Sequence, residues 1–105
     1  MTPEIASMRI ARSIKSVEDG VDELIAKSAE LLAEMARVRL ATENPAVHGQ
    51  RPIARVAAMQ KSLVEARSEI VRAHNDLSKL AESMDIAYQC PEKSQFDEQV
   101  QASAV

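Results

Sequence analysis

The sequence predicts an all-α protein: two long amphipathic helices in an antiparallel, coiled-coil-like hairpin, completed by dimerisation into a four-helix bundle. Three observations predict it. Hydrophobic residues make up 46% of the 105 residues, yet aromatics make up only 2%, with Tyr88, Phe96 and no Trp. A core built from Leu, Ile, Val, Met and Ala suits helix-on-helix packing better than a sandwich or a ring-lined pocket. Second, the chain has only two Gly and four Pro, and Pro45, Gly49 and Pro52 cluster in the middle. A sheet protein would need turn residues every 8–12 positions or so. Third, apolar residues recur at alternating steps of four and three on both sides of that cluster.

The first helix is predicted over about 3–42. Thr2 suits an N-cap, Pro3 the first helical position, and Glu4 the positive end of the helix dipole. Ile14, Val21, Ser28 and Met35 fall on heptad position a, and Ile10, Val17, Leu24, Leu31 and Val38 on d. Ile25 and Leu32, at the neighbouring e position, widen the stripe to a bundle-like face. Gly20 is a soft spot worth about 1 kcal/mol relative to Ala.

Residues 43–52 form the predicted turn. Asn44 before Pro45 is disfavoured in a helix, Gly49 permits a positive φ, and Pro52 can open the next helix. The second helix is then predicted over about 53–86. Its a positions are Val56, Leu63, Ile70, Leu77 and Met84, and its d positions are Met59, Ala66, Ala73 and Leu80, with Val64 and Val71 on the flank. Residues 1–88 are read as the hairpin, and 89–105 as a polar tail that is flexible or ordered by a partner. Folding at the turn pairs residues whose numbers sum to about 95, to within one turn. Leu31 and Leu32 then meet Leu63 and Val64, and Leu24 and Ile25 meet Ile70 and Val71.

One helix can cover only one side of another, and both stripes are wider than that. Small domains in this position oligomerise. The stripe of Leu24, Ile25, Leu31, Leu32, Leu63, Val64, Ile70, Val71 and Leu77 is therefore expected to serve both the hairpin core and a homodimer, or a complex with another protein.

Charges are segregated. Glu18, Asp19, Asp22, Glu23, Glu30 and Glu34 stand against Lys27 alone, whereas Arg37, Arg39, Arg51, Arg55 and Lys61 around the turn stand against Glu43 alone. The bland account is a set of solvated faces. The sharper one is a basic tip that docks on an acidic partner. No aromatic interleaves the cations and no helix-turn-helix spacing appears, so nucleic acid is not the expected partner.

Chemistry is not legible. His48 lies in the turn and His74 on the flank of the second stripe, beside Glu18 or Asp22 in the expected register. No paired-cysteine, HExxH or Glu-x-x-His pattern is present, so neither metal nor cofactor is expected. Cys90 is followed by Pro91 and Glu92 and has no basic neighbour to lower its pKa. The ending Ser103-Ala104-Val105 fits only the loosest pattern of carboxylate capture. An enzyme is not expected. Arg67 projects towards the stripe near Ser28, a polar residue at an a position. The two form either a register-fixing polar layer, or a surface arginine that snorkels beside a small core residue.

No apolar run approaches the roughly 20 residues of a membrane span, and the first twenty residues have no apolar h-region. With one cysteine, the expected location is the cytoplasm. In outline, the length and single hairpin resemble the small helical-hairpin proteins secreted by ESX-type systems. Their Trp-x-Gly turn is replaced here by Asn44-Pro45-Ala46-Val47-His48-Gly49, and the chain is not assigned to them. The architecture is also similar to small virion, tail and secretion accessory proteins, and to inhibitors encoded by phages and other mobile elements. The functional expectation is an interaction or assembly module that self-associates through its stripes. The alternative is a small regulator that presents its basic tip.

Overall fold

The computed structural model describes residues 1–42 and 49–86. They form a helical hairpin of α1 (Pro3–Ala41) and α2 (Gln50–Ser83), with no strand among the described residues. The turn at 43–48 and the tail beyond Ile86 lie outside the described residues.

The ends of the helices follow from capping chemistry. The Ile5 amide donates to Thr2 Oγ1 at 3.2 Å, so Thr2 is the N-cap, with Pro3 and Glu4 in the first turn. At the other end of α1 the Thr42 amide and hydroxyl both donate to the Val38 carbonyl, at 3.0 and 2.8 Å. The second helix starts at Gln50, before Pro52 rather than at it. Gly49 takes a φ of +79°, and its carbonyl accepts the Ile53 amide at 3.2 Å. Pro52 then sits in the first turn, where amides have no intrahelical partner and a missing N–H costs nothing.

α2 stops at Ser83, short of the expected 86. Asp85 adopts φ 58°, the Ile86 amide donates to the Ala81 carbonyl at 2.9 Å, and the Asp85 amide donates to Glu82 at 3.1 Å. This is a Schellman C-cap closed by Asp instead of Gly.

Two compact units make up the hairpin. One contains Val17–Ala73, the turn-proximal parts of both helices; the other contains Met1–Ser16 and the chain from His74 onward. In the turn-proximal unit the buried and half-buried side chains are Glu18, Val21, Ile25, Ser28, Leu32, Ala33, Met35, Ala36 and Arg39 on α1, and Ile53, Val56, Gln60, Leu63, Arg67 and Ile70 on α2. In the terminal unit Ser7, Ala11, Ile14 and Ala81 are buried and Leu77 is half-buried.

These lists correct the expected seam. In both helices the inner rows are a and e, not a and d. The d row of α1 is left in solvent: Ile10, Val17, Leu24, Leu31 and Val38 are 44–52% exposed. The residues that displace it in the seam include small and charged side chains, Ala11 and Glu18 on α1 and Arg67 and Ala81 on α2.

The register is also shifted. In the turn-proximal unit Arg67 bonds Asp22 and Arg39 bonds Gln50. These two hydrogen-bonded pairs sum to 89 (22 with 67, 39 with 50) and the longer Arg67–Glu18 contact to 85, all below the expected 95. Ile25 accordingly lies level with Leu63 and Val64, and Leu32 with Val56 and Ala57.

Packing is thin. Among the described residues no large side chain is fully buried, and the buried apolar set is Ala11, Ile14 and Ala81. Gly20 faces open space: a Cβ built there would meet nothing within 4 Å.

Candidate partner-binding face

Antiparallel helices that meet through a and e leave both d rows on the same side of the hairpin. In the turn-proximal unit that side carries exposed Val17, Leu24, Leu31 and Val38 from α1, beside exposed Met59, Ala66 and Ala73 from α2. Near the turn the side deepens into an open groove of about 320 Å³, lined by Met35 and Val38 of α1, Pro52 and Ile53 of α2, and Gly49. Five large apolar side chains, each about half exposed, leave on the order of 400 Å² uncovered, inside the roughly 300–600 Å² range of the often functional largest patch on a monomer.

In the terminal unit a second groove of about 200 Å³ is lined by Pro3, Ser7 and Ile10 of α1, and by Leu77, Leu80, Ala81, Met84 and Ile86 of the chain at the end of α2. Its apolar walls are exposed Ile10, Leu80 and Met84. The Ser7 hydroxyl is buried here with no hydrogen-bond partner.

The expected stripe divides cleanly. Ile25, Leu32, Leu63, Ile70 and Leu77 are half-buried, whereas Leu24, Leu31, Val64 and Val71 are exposed. Val64 and Val71 lie on the side opposite the d rows. They share that side with Asp22, the anchor of Arg67.

Arg67 is the polar centre of the turn-proximal unit. Its Nε donates to Asp22 Oδ1 at 3.1 Å and its Nη2 lies 3.8 Å from Glu18 Oε2, two carboxylates one turn apart on α1. Glu18 is 16% exposed at its side chain and Arg67 27%, while Asp22 is 57%. Arg67 Nη1 is buried without a partner. Ser28, buried at 3%, bonds the Ile25 carbonyl at 2.9 Å inside its own helix, so it needs nothing from Arg67 across the seam.

Removing Arg67 takes one cation from the mostly covered Glu18 and one hydrogen bond from Asp22. Arg67→Met is expected to lower stability by about 1–3 kcal/mol, read by urea unfolding. Asp22→Asn, at a solvent-screened carboxylate, is expected to stay below about 1 kcal/mol.

Around the tip, Arg37, Arg51, Arg55 and Lys61 are exposed, and Arg39 is half-buried with its Nη1 on Gln50 Oε1 at 3.1 Å. Arg37 lies 3.7 Å from Glu34 and Lys27 lies 3.0 Å from Glu23, both within α1. His74 is half-buried and partnered. His48, Cys90 and Ser103–Val105 lie outside the described residues. Among the described residues no group of His, Cys, Asp and Glu could hold a metal, and no helix is long and apolar enough to cross a membrane. No protein-family model matches the chain, and no curated protein or solved structure matches it.

Proposed function

We propose that this chain is a non-enzymatic assembly module that associates with itself through the apolar side formed by the d rows. One observation carries the reading. The largest apolar side chains at regular heptad spacing on α1 are half in solvent, while the hairpin seam is filled in part by Ala, Ser, Glu and Arg. A row of Val and Leu sustained over 17–38 and left half uncovered in the single chain is the pattern of a helix that meets a second partner. A lone cysteine suits a reducing compartment, and we place the module in the cytoplasm on that ground.

Light scattering on the purified protein at two concentrations a hundredfold apart tests the reading. A mass of two chains or more, persisting on dilution, is expected. A helical monomer at both concentrations overturns self-association.

The exposed cations at 37, 51, 55 and 61 favour a second reading, a regulator that presents its tip to an acidic protein. It requires Arg51→Glu with Arg55→Glu to abolish function while leaving helicity unchanged.

A further inference from the structure

We propose that the occupant of the apolar side is a second copy of this chain turned end for end, with the two-fold axis level with Glu30 of α1 and Ala58 of α2. The inference deepens the self-association reading and rests on it.

The side is bordered along α1 by exposed Glu23, Lys27, Glu30, Glu34 and Arg37, at heptad positions c and g. Along α2 its outer border is exposed Arg51, Ala58, Glu65 and Arg72 at position c, and exposed Arg55, Ser62 and Glu69 at position g. Reversing the α1 border about residue 30 lays Glu23 on Arg37, Lys27 close to Glu34, and Glu30 on itself. Reversing the α2 border about residue 58 lays Arg51 on Glu65. Both borders are thus basic towards the turn and acidic 14 residues away, about 21 Å along a helix at about 1.5 Å per residue.

The two reversal points belong to different helices, and they lie at one level of the hairpin. The hydrogen bonds Arg67–Asp22 and Arg39–Gln50 set levels that sum to 89, and residues 30 and 58 meet that rule within one residue. A single two-fold axis therefore satisfies both borders at once, with α1 lying on α1 of the copy and α2 on its α2. An isologous contact makes every cross-copy pair twice. Glu23–Arg37, Lys27–Glu34 and Arg51–Glu65 are each formed twice around a centre of Leu24, Leu31 and Met59.

The competing arrangement, with the two turns side by side and α1 on α2 of the copy, lays Arg37 on Arg51 and Glu23 on Glu65. It sets like charges on each other at these c positions, against one opposite pair at g, Glu34 on Arg55, and is disfavoured. The one like pair in the end-for-end arrangement is Glu30 with itself at the axis. The existing helix-internal pairs Lys27–Glu23 and Arg37–Glu34 are solvent-exposed, so little is lost when their partners are exchanged.

Two charge-reversed variants test the geometry, with far-UV circular dichroism to verify helicity. In one, Arg37→Glu is combined with Arg51→Glu; in the other, Glu23→Arg is combined with Glu65→Arg. Each alone is expected to dissociate at least tenfold more readily than the wild type. Their equimolar mixture is expected to recover the wild-type mass, because every reversed residue then meets its opposite. Glu30→Gln is expected to tighten the wild-type dimer.

A wild-type dimer whose mass survives in either reversed variant overturns the end-for-end geometry and leaves self-association standing. So does a mixture that stays monomeric. A wild type that is monomeric throughout removes the underlying reading instead.

Discussion

Leu24→Glu combined with Leu31→Glu is expected to turn a self-associated wild type into a helical monomer. Both side chains are about half exposed in the single chain, at 47 and 48%, and neither lies in the a/e seam. In the isolated hairpin the exchange removes little burial, and glutamate is a good helix former, so helicity and the monomer's unfolding midpoint should change little. In an apolar contact the same exchange buries two carboxylates per chain without partners. Each such burial costs several kcal/mol, so the dissociation constant should rise more than about a hundredfold. Light scattering reads the mass and circular dichroism the helicity. The matched exchange one position along, Ile25→Glu with Leu32→Glu, should instead unfold the hairpin, since these half-buried residues form the seam. If the Leu24 and Leu31 variant keeps the wild-type mass, the apolar side is not where copies meet.

Much of the fold is legible because helix periodicity is written in one dimension. The Thr2-Pro3-Glu4 start, the Pro and Gly cluster at 45–52 and the heptad rows require no knowledge of what lies across the seam. The choice of row does. The apolar stripe of α1 is three rows wide, a, d and e, and a single neighbouring helix covers two of them. By hydrophobicity alone, the d row of Ile10, Val17, Leu24, Leu31 and Val38 outranks the e row of Ala11, Glu18, Ile25, Leu32 and Arg39.

The e row wins because its polar members have answers on α2, and those answers appear only when the two helices are read together. Glu18 meets Arg67, and Arg39 meets Gln50. Opposed charges on facing e rows were the available signal for the seam. Ser28 carried no such signal, because its hydroxyl is satisfied by Ile25 within one turn. The α2 terminus was missed for a local reason: an Asp closes the Schellman cap where Gly is the usual marker. The candidate face was legible as composition, in the exposed leucines and the basic tip, but not as geometry. A register summing to 95 separates residues 30 and 58 by about two turns, and the common axis of the two borders then disappears.

Ile14→Ala is expected to cost about 2–4 kcal/mol of unfolding free energy, whereas Ile10→Ala, one turn away, should cost under about 1 kcal/mol. The two positions have the same side chain on the same helix, within the terminal unit. They differ in row: Ile14 at a is 9% exposed, and Ile10 at d is 44% exposed. Ile14 is the largest residue in the buried set, so its truncation removes nearly all the transfer free energy of three methyl or methylene carbons and leaves a cavity. Ala11, the buried residue one turn earlier on α1, is too small to collapse into that cavity. Ile10 already holds about half its surface in water, so the same truncation forgoes a fraction of that burial and opens no enclosed void. Urea unfolding at one fixed protein concentration, followed by circular dichroism at 222 nm, measures both variants, and a fixed concentration is needed because association shifts apparent stability by mass action. Equal losses at the two positions would mean that the a/e seam is not the one the protein folds on. A loss confined to Ile14 places the stability of the hairpin in its inner rows and leaves the d row available for a second chain.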